Sequence, residues 1–343
     1  MTHLKRNPMT AQGSADTQTN TGVFLFNLGG PERLEDVRPF LYNLFSDPDI
    51  IRIRSDVLRK MVAWFISTSR QRKSRDLYRQ IGGCSPLRRI TEEQAVALAA
   101  RMKEMGRPAR VYVAMRCWKP TIDEALEQAC RDAVSTLVAL PLFPQFSFTT
   151  TGSCFNHLKK LLQGPRFRDR ASNMQVSYVD AWPEESLYIE SLADFVRAAR
   201  DRFTTDDPGE IHLLYSAHSI PARYVTEGDP YLQQTQKTVR RVNALLGNSH
   251  PFTISFQSKV GPVRWLGPST SDVIAELGRA RAGRVLVIPI SFVSDHIETL
   301  QEIDIAYREL AANCGISEFE RVPSLNTHPK FIEALAHLAV RAL

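Results

Sequence analysis

Three carboxylates and two imidazoles are the residues of this 343-residue chain best suited to chemistry. Asp295, His296, Glu298 and Glu302 follow an apolar run, Val285 to Ile290, that reads as a buried strand stopped by Pro289. Ser294 or Asp295 is expected to cap the helix that follows. Steps of three and seven from Asp295 to Glu298 and Glu302 place the three acids on one face of an α-helix. Like charges at that spacing repel, so such a face suits a metal ion or moving protons better than it suits stability. The plainer reading is a solvated helix start, where the macrodipole favours acids. Asp295 fits it, but Glu302 lies two turns in and gains nothing from it. The second imidazole, His218, sits in Ser216-Ala217-His218-Ser219-Ile220-Pro221, just past an apolar stretch. There it can accept a proton or bind a metal through a neutral ring, and it could equally cap a helix or bond a carbonyl.

Other loops carry weaker signals. Asn27-Leu28-Gly29-Gly30-Pro31 resembles the start of a phosphate-binding turn, yet it has no G-x-G-x-x-G and no Walker lysine–serine pair. Its glycines suit a sharp turn or a close approach to a flat ligand. Trp265 stands in a second loop, 257–266, and 40–66 is rich in aromatic and aliphatic residues. Most of those should pack in the core, while a subset could line an apolar pocket or a membrane-facing rim. Arg70, Arg72, Lys73, Arg75 and Arg79 read as a solvated face, some of which could meet ligand carboxylates.

The elements that position these residues alternate. Strands are expected at 23–28, 111–115, 136–140, 175–179, 211–216, 253–256 and 285–290. Helices are expected between them, among others at 34–45, 56–66, 71–80 and 296–312. Such alternation predicts an α/β protein with parallel sheets covered by helices on both faces. The stretches 137–146 and 285–292 share one form, a strand, a proline and an aromatic loop. They suggest two similar doubly wound halves, with 1–20 as a disordered tail, 21–170 as the first half and 171–343 as the second. In such sheets ligands bind beyond the carboxyl ends of strands.

Composition narrows the function classes. A 43% apolar fraction fits a globular core, and a net charge of +6 is too diffuse to argue for nucleic acid. Five cysteines without a CxxC pair read as reduced thiols, not as a disulfide framework or zinc site. The polar start lacks an apolar signal region, so a cytoplasmic location is expected, with contact to a membrane surface left open.

Taken together the loops resemble the ferrochelatases, which insert ferrous iron into a porphyrin. The resemblance runs from about Val23 to the last helix, through 27–32, 78–86, 149–153, 216–221, 228–231, 257–268 and 294–300. It implies two Rossmann-like, chelatase-type halves with a porphyrin cleft between them, and an apolar lip at 40–66 meeting the inner membrane surface. It implies that His218 is the cleft histidine and Glu298 its partner carboxylate, the pair that handles the metal and the protons. Asp295, His296 and Glu302 then match a proton or metal track behind that pair. Leu28, Tyr78, Arg116, Phe143 and Trp265 match positions lining the macrocycle, and Arg70 and Ser85 match groups that meet its propionates. Leu28 replaces a methionine and Cys117 a tyrosine of many animal relatives. Phe148 aligns with the upstream cysteine of relatives that hold an iron–sulfur cluster, so no cluster is expected, and ferrous iron is substrate rather than resident cofactor.

The chemistry asks for such residues. Two N–H protons must leave the ring as the metal enters. Neutral His218 on one side of the ring and Glu298 opposite would share that work, with Asp295 and Glu302 conducting protons or metal. Imidazole with carboxylate suits ferrous iron and zinc. Protoporphyrin IX is the expected substrate. A coproporphyrin ferrochelatase or a cobalt chelatase is the alternative, and a two-lobed metal-binding protein is more remote.

Overall fold

A computed structural model describes residues 20–204, 207, 210–259, 261 and 263–343. The tail expected over 1–20 therefore lies, but for Asn20, outside the described residues, as do Val260 and Pro262 of the 257–268 motif.

Among the described residues eight strands form two parallel sheets with one topology repeated. The first contains β1 (Thr21–Asn27), β2 (Arg110–Met115), β3 (Thr136–Pro141) and β4 (Gln175–Tyr178), in the order β2-β1-β3-β4. The second contains β5 (Ile211–His218), β6 (Phe252–Gln257), β7 (Arg284–Pro289) and β8 (Glu318–Arg321), in the order β6-β5-β7-β8. The expected pair of doubly wound halves is thus present. The central strands carry near-continuous apolar runs because both faces of a parallel sheet are covered; Val23, Phe24, Leu25 and Phe26 of β1 are fully buried.

Two boundaries move. β4 pairs with β3, so the first sheet reaches Tyr178, past the division expected at 170. The strand β8 was not foreseen, because Glu318-Phe319-Glu320-Arg321 puts three charged residues on a sheet edge. The helices are α1 (Val37–Ser46), α2 (Asp56–Gln80), α3 (Leu87–Glu104), α4 (Ile122–Arg131), α5 (Ser153–Gln163) and α6 (Ser186–Arg200). They continue with α7 (Ala222–Thr226), α8 (Tyr231–Leu245), α9 (Thr270–Arg279), α10 (Arg308–Asn313) and α11 (Pro329–Ala342). The helices expected at 56–66 and 71–80 are one, α2, capped by Ser55, whose side chain accepts from the Leu58 amide.

The halves are bound by shared core and by side chains. Val23 and Leu25 of β1 belong to the same buried cluster as Leu213 and Tyr215 of β5 and Phe331 of α11. Gln94 of α3 donates to Ser294 Oγ at 3.0 Å and to the Asn326 carbonyl at 2.8 Å, and Arg101 pairs with Glu333 of α11.

The 40–66 lip divides in two. Phe40, Leu41 and Phe45 are buried in a small core with Ala63 and Tyr78, whereas Val57, Leu58, Met61, Trp64 and Phe65 of α2 are exposed, Val57 to 70% and Phe65 to 68%. Among the described residues no helix is long and apolar enough to cross a membrane.

After β7 the chain does not form the α-helix expected over 296–312. Residues Glu298–Tyr307 wind as a π-helix with i→i+5 bonds before α10 begins. A shorter π turn, Phe148–Gly152, follows β3 at the equivalent place in the first half.

Candidate active site

The parallel register delivers the site. His218 of β5 lies opposite Gln257, the last residue of β6, and Ser216 lies opposite Pro289, which ends β7. The carboxyl ends of three adjacent strands therefore hand over His218, the Gln257–Ser258 pair and the 290–298 segment, where an open parallel sheet binds its ligand.

His218 Nδ1 and Glu298 Oε2 are 2.8 Å apart. Their side chains stay 38% and 22% exposed, so both face open space. Ser258 Oγ donates to the same Oε2 at 3.0 Å and lies 2.5 Å from Glu302 Oε2, which links the two carboxylates through one hydroxyl. Glu302 also accepts from the Ser258 amide, from Gln257 Nε2 at 3.0 Å and from Tyr307 OH at 2.8 Å. Tyr231 OH donates to the His218 carbonyl at 2.8 Å, fixing the strand end. His218 Nε2 and Glu298 Oε1 carry none of these bonds.

The electrostatics follow from the contacts. Burial pushes the His218 imidazole toward neutrality, but the charge and hydrogen bond of Glu298, with Glu302 behind, outweigh it and hold its pKa above 6.5. Burial opposes ionisation of Glu298, yet His218, His296 and Ser258 hold it down at about 2. Glu302 is raised, by burial and by the charge of Glu298. The contacts thus favour the charged form of the His218–Glu298 pair and oppose ionisation of Glu302 beside it, whereas a neutral His218 was expected. His296 is lowered by burial, its Nδ1 has no partner, and its ring lies 4.4 Å from that of Phe292.

Three expectations about this segment are corrected. Asp295 does not share a face with Glu298 and Glu302, because it precedes the helix and because the helix is π rather than α. Its carboxylate accepts from Arg321, Ser324, Asn326 and Thr299. Burial opposes its charge, but Arg321 and those donors outweigh it and lower its pKa. Neither Ser294 nor Asp295 caps the helix: its N-cap is Ile297, with no side-chain bond. Glu298 also does not stand across a gap from His218. At 2.8 Å the two form one unit, with no room for a ring between them.

Of the residues expected around a macrocycle, Leu28 and Tyr78 meet Ile297 in one apolar cluster. The Tyr78 phenol is raised by burial and by the charge of Glu298, which places it beside the acid. Trp265 is partly buried with an unpartnered Nε1. Ser85 abuts Gly30, where a Cβ would come within 2.6 Å of Ser85 Oγ. Arg70 has no hydrogen bond or ion pair among the described residues and is partly buried. Arg116 is engaged, with Nε on Ser153 Oγ at 2.7 Å and Nη2 3.0 Å from fully buried Asp47. Phe143 packs on the core of the first half.

Sequence reasoning missed Tyr307, Tyr231 and Arg321 as parts of this site. Tyr307 lies five residues beyond Glu302, a spacing that becomes adjacent only in a π-helix. Among the described residues no three His, Cys, Asp or Glu side chains converge as a metal cage. Within the pair, His218 Nε2 and Glu298 Oε1 take no hydrogen bond among the described residues.

The profile of the ferrochelatase family matches residues 20–343. The ferrochelatase of Gloeothece citriformis is 49% identical over 324 residues, covering 94% of this chain and 82% of the relative. That of Synechococcus elongatus is 50% identical over 326 residues, with the same coverage. Among solved structures, SirB from Bacillus subtilis with Fe3+ shares the fold at a TM-score of 0.51 and 14% identity, over 73% of this chain and 88% of SirB.

Proposed function

The chain belongs to the ferrochelatase family, and from that premise we propose that it inserts ferrous iron into protoporphyrin IX, releasing two protons. It is a lyase of the metal-chelatase type. The observation that carries the reading is the His218–Glu298 pair at 2.8 Å, with one nitrogen and one oxygen left open at the carboxyl ends of β5 and β7.

Both groups act from one side of the ring. His218 uses Nδ1–H to hold Glu298, so a neutral His218 presents the Nε2 lone pair to a pyrrole N–H or to the metal. Closing an apolar macrocycle over the imidazolium disfavours its charge and drives its proton toward the acids. From Glu298 the path runs through Ser258 Oγ to Glu302 and on to Tyr307, each step a hydrogen bond of 3.0 Å or less. Iron entering as Fe2+ replaces the two protons, so charge on the ring balances. His296 stays neutral beside the pair and supplies a further nitrogen on the track.

Leu28, Tyr78 and Trp265 would press on the macrocycle, while Arg70 and Ser85 would hold its propionates, with Arg116 and Phe143 as supports of the first-half wall. The exposed ridge Val57, Met61, Trp64 and Phe65 supports a weakly charged, membrane-derived porphyrin and contact with the cytoplasmic membrane surface. Coproporphyrin, with four carboxylates, is the second reading, supported by the basic residues of α2. Incubating the purified protein with each porphyrin and ferrous iron separates them by which free-base spectrum is lost.

A further inference from the structure

The guanidinium of Arg321 reaches both ends of the segment that carries the working acids. Its Nη1 donates to Asp295 Oδ1 at 3.0 Å, one residue before His296. Its Nε and Nη2 form a two-pronged fork on Asp304, each at 2.8 Å, two residues after Glu302. The Arg321 side chain is only 10% exposed, against 18% for Asp295 and 29% for Asp304. Ser324 and Asn326 complete the hold on Asp295, and the Asn326 side chain also accepts from the Asp295 amide.

We propose that Arg321 is a positioning residue for metal insertion, a clamp that holds the π-helix at the register in which Glu298 and Glu302 share Ser258. Three features argue for this. A ten-residue π-helix is longer than the single turns in which this conformation mostly occurs, so restraint from outside the helix favours it. Arg321 comes from β8, whose register against β7 is fixed by the sheet, Val287 opposite Arg321, so the restraint is anchored in the core. The planar guanidinium meets Asp304 at two points and Asp295 at a third, a fixed three-point geometry that the single ammonium nitrogen of a lysine does not reproduce. Arg321 and Asp304 make no hydrogen bond to Glu298, Glu302 or Ser258 among the described residues, so the clamp holds the helix without engaging the reacting groups. The inference rests on the reading of Glu298 as the working acid.

Arg321→Lys and Asp304→Asn test it, with Glu298→Gln as a separate control on that reading. Both clamp variants should lower kcat on the order of tenfold while KM for the porphyrin stays unchanged, as loss of an orienting partner typically does. Hydrogen exchange should quicken in residues 298–307 but not in β5 or β7. Wild-type kcat in folded Arg321→Lys, or a loss explained wholly by a smaller folded fraction, overturns the proposal. If Arg321→Lys does not fold, Asp304→Asn decides in the same way, normal kcat overturning it. Insertion retained by Glu298→Gln would instead sink the reading of the acid and leave the clamp a matter of helix geometry alone.

Discussion

His218 Nδ1, at the end of β5, and Glu298 Oε2, at the start of the π-helix that follows β7, are 80 residues apart in sequence and stand 2.8 Å from one another. Two atoms holding a flat ring between them would stand about 7 Å apart, since non-bonded contacts lie at about 3.5 Å. The pair can therefore meet a flat ring only from a single face, as one coupled unit rather than as two opposed groups.

Coupling predicts non-additive loss. His218→Ala should abolish metal insertion while the protein still binds porphyrin, as followed by Soret absorbance. Adding Glu298→Gln to His218→Ala should then cost little more, because the unit is already broken. Fully multiplicative losses in the double-mutant cycle would show two independent groups.

The ion pair also predicts a pH window in stability. His218 stands above 6.5, so its contribution is complete below pH 6.5 and fades as pH rises through the raised value. Glu298 stands at about 2, below its ordinary 4.5, so its contribution is complete above pH 4.5 and fades toward about 2. The pair is then strongest between these limits. Urea unfolding of the metal-free protein should show His218→Ala most destabilised, relative to the parent, in that window, with the gap narrowing in alkali. A gap that does not change with pH would rule out the charged pair.

Ser258 links the acids through one hydroxyl, and its φ of 65° is left-handed backbone that glycine adopts freely. Ser258→Gly removes the hydroxyl without straining the turn. Turnover should fall roughly tenfold, as for other partners that orient a working group, and steady-state kinetics on the variant measure it. Unchanged turnover would remove Ser258 from the proton path.

Gly30 tests the wall beside Ser85. A Cβ there would meet Ser85 Oγ at 2.6 Å and Ser85 Cβ at 2.7 Å, neither of which is a flexible chain end. Gly30→Ala should cost about 1–3 kcal/mol, the usual range for overpacking, read as a lower denaturation midpoint. An unshifted midpoint would mean that the first-strand loop can yield.

On the α2 ridge, Met61→Ser with Phe65→Ser should leave stability within about 0.5 kcal/mol, since both side chains are exposed. The same variant should lose sedimentation with lipid vesicles. Retained sedimentation would place any membrane contact elsewhere.

Much of this was legible in sequence for physical reasons. Buried parallel strands such as Val285 to Ile290 announce themselves through continuous apolar, β-branched residues, and the similar loops after two of them disclosed the repeated halves. His218 and the acids at 295–302 drew notice by their place past such strands, but His218 and Glu298 were picked out as a pair only by the resemblance to the ferrochelatases. The facing of Asp295 could not, because the spacing argument assumed 3.6 residues per turn where the chain winds as a π-helix. Arg321 was hidden for a related reason: a short charged edge strand has no apolar signature, although its arginine holds Asp295 and Asp304 together.

The central claim is metal insertion by the His218–Glu298 unit, and anaerobic turnover with ferrous iron and protoporphyrin IX measures it most directly. The parent protein should convert the free-base visible spectrum to that of the iron complex, and His218→Ala should leave the free-base bands unchanged while still binding the ring. Conversion by His218→Ala at the parent rate, or none by the parent, would contradict the account.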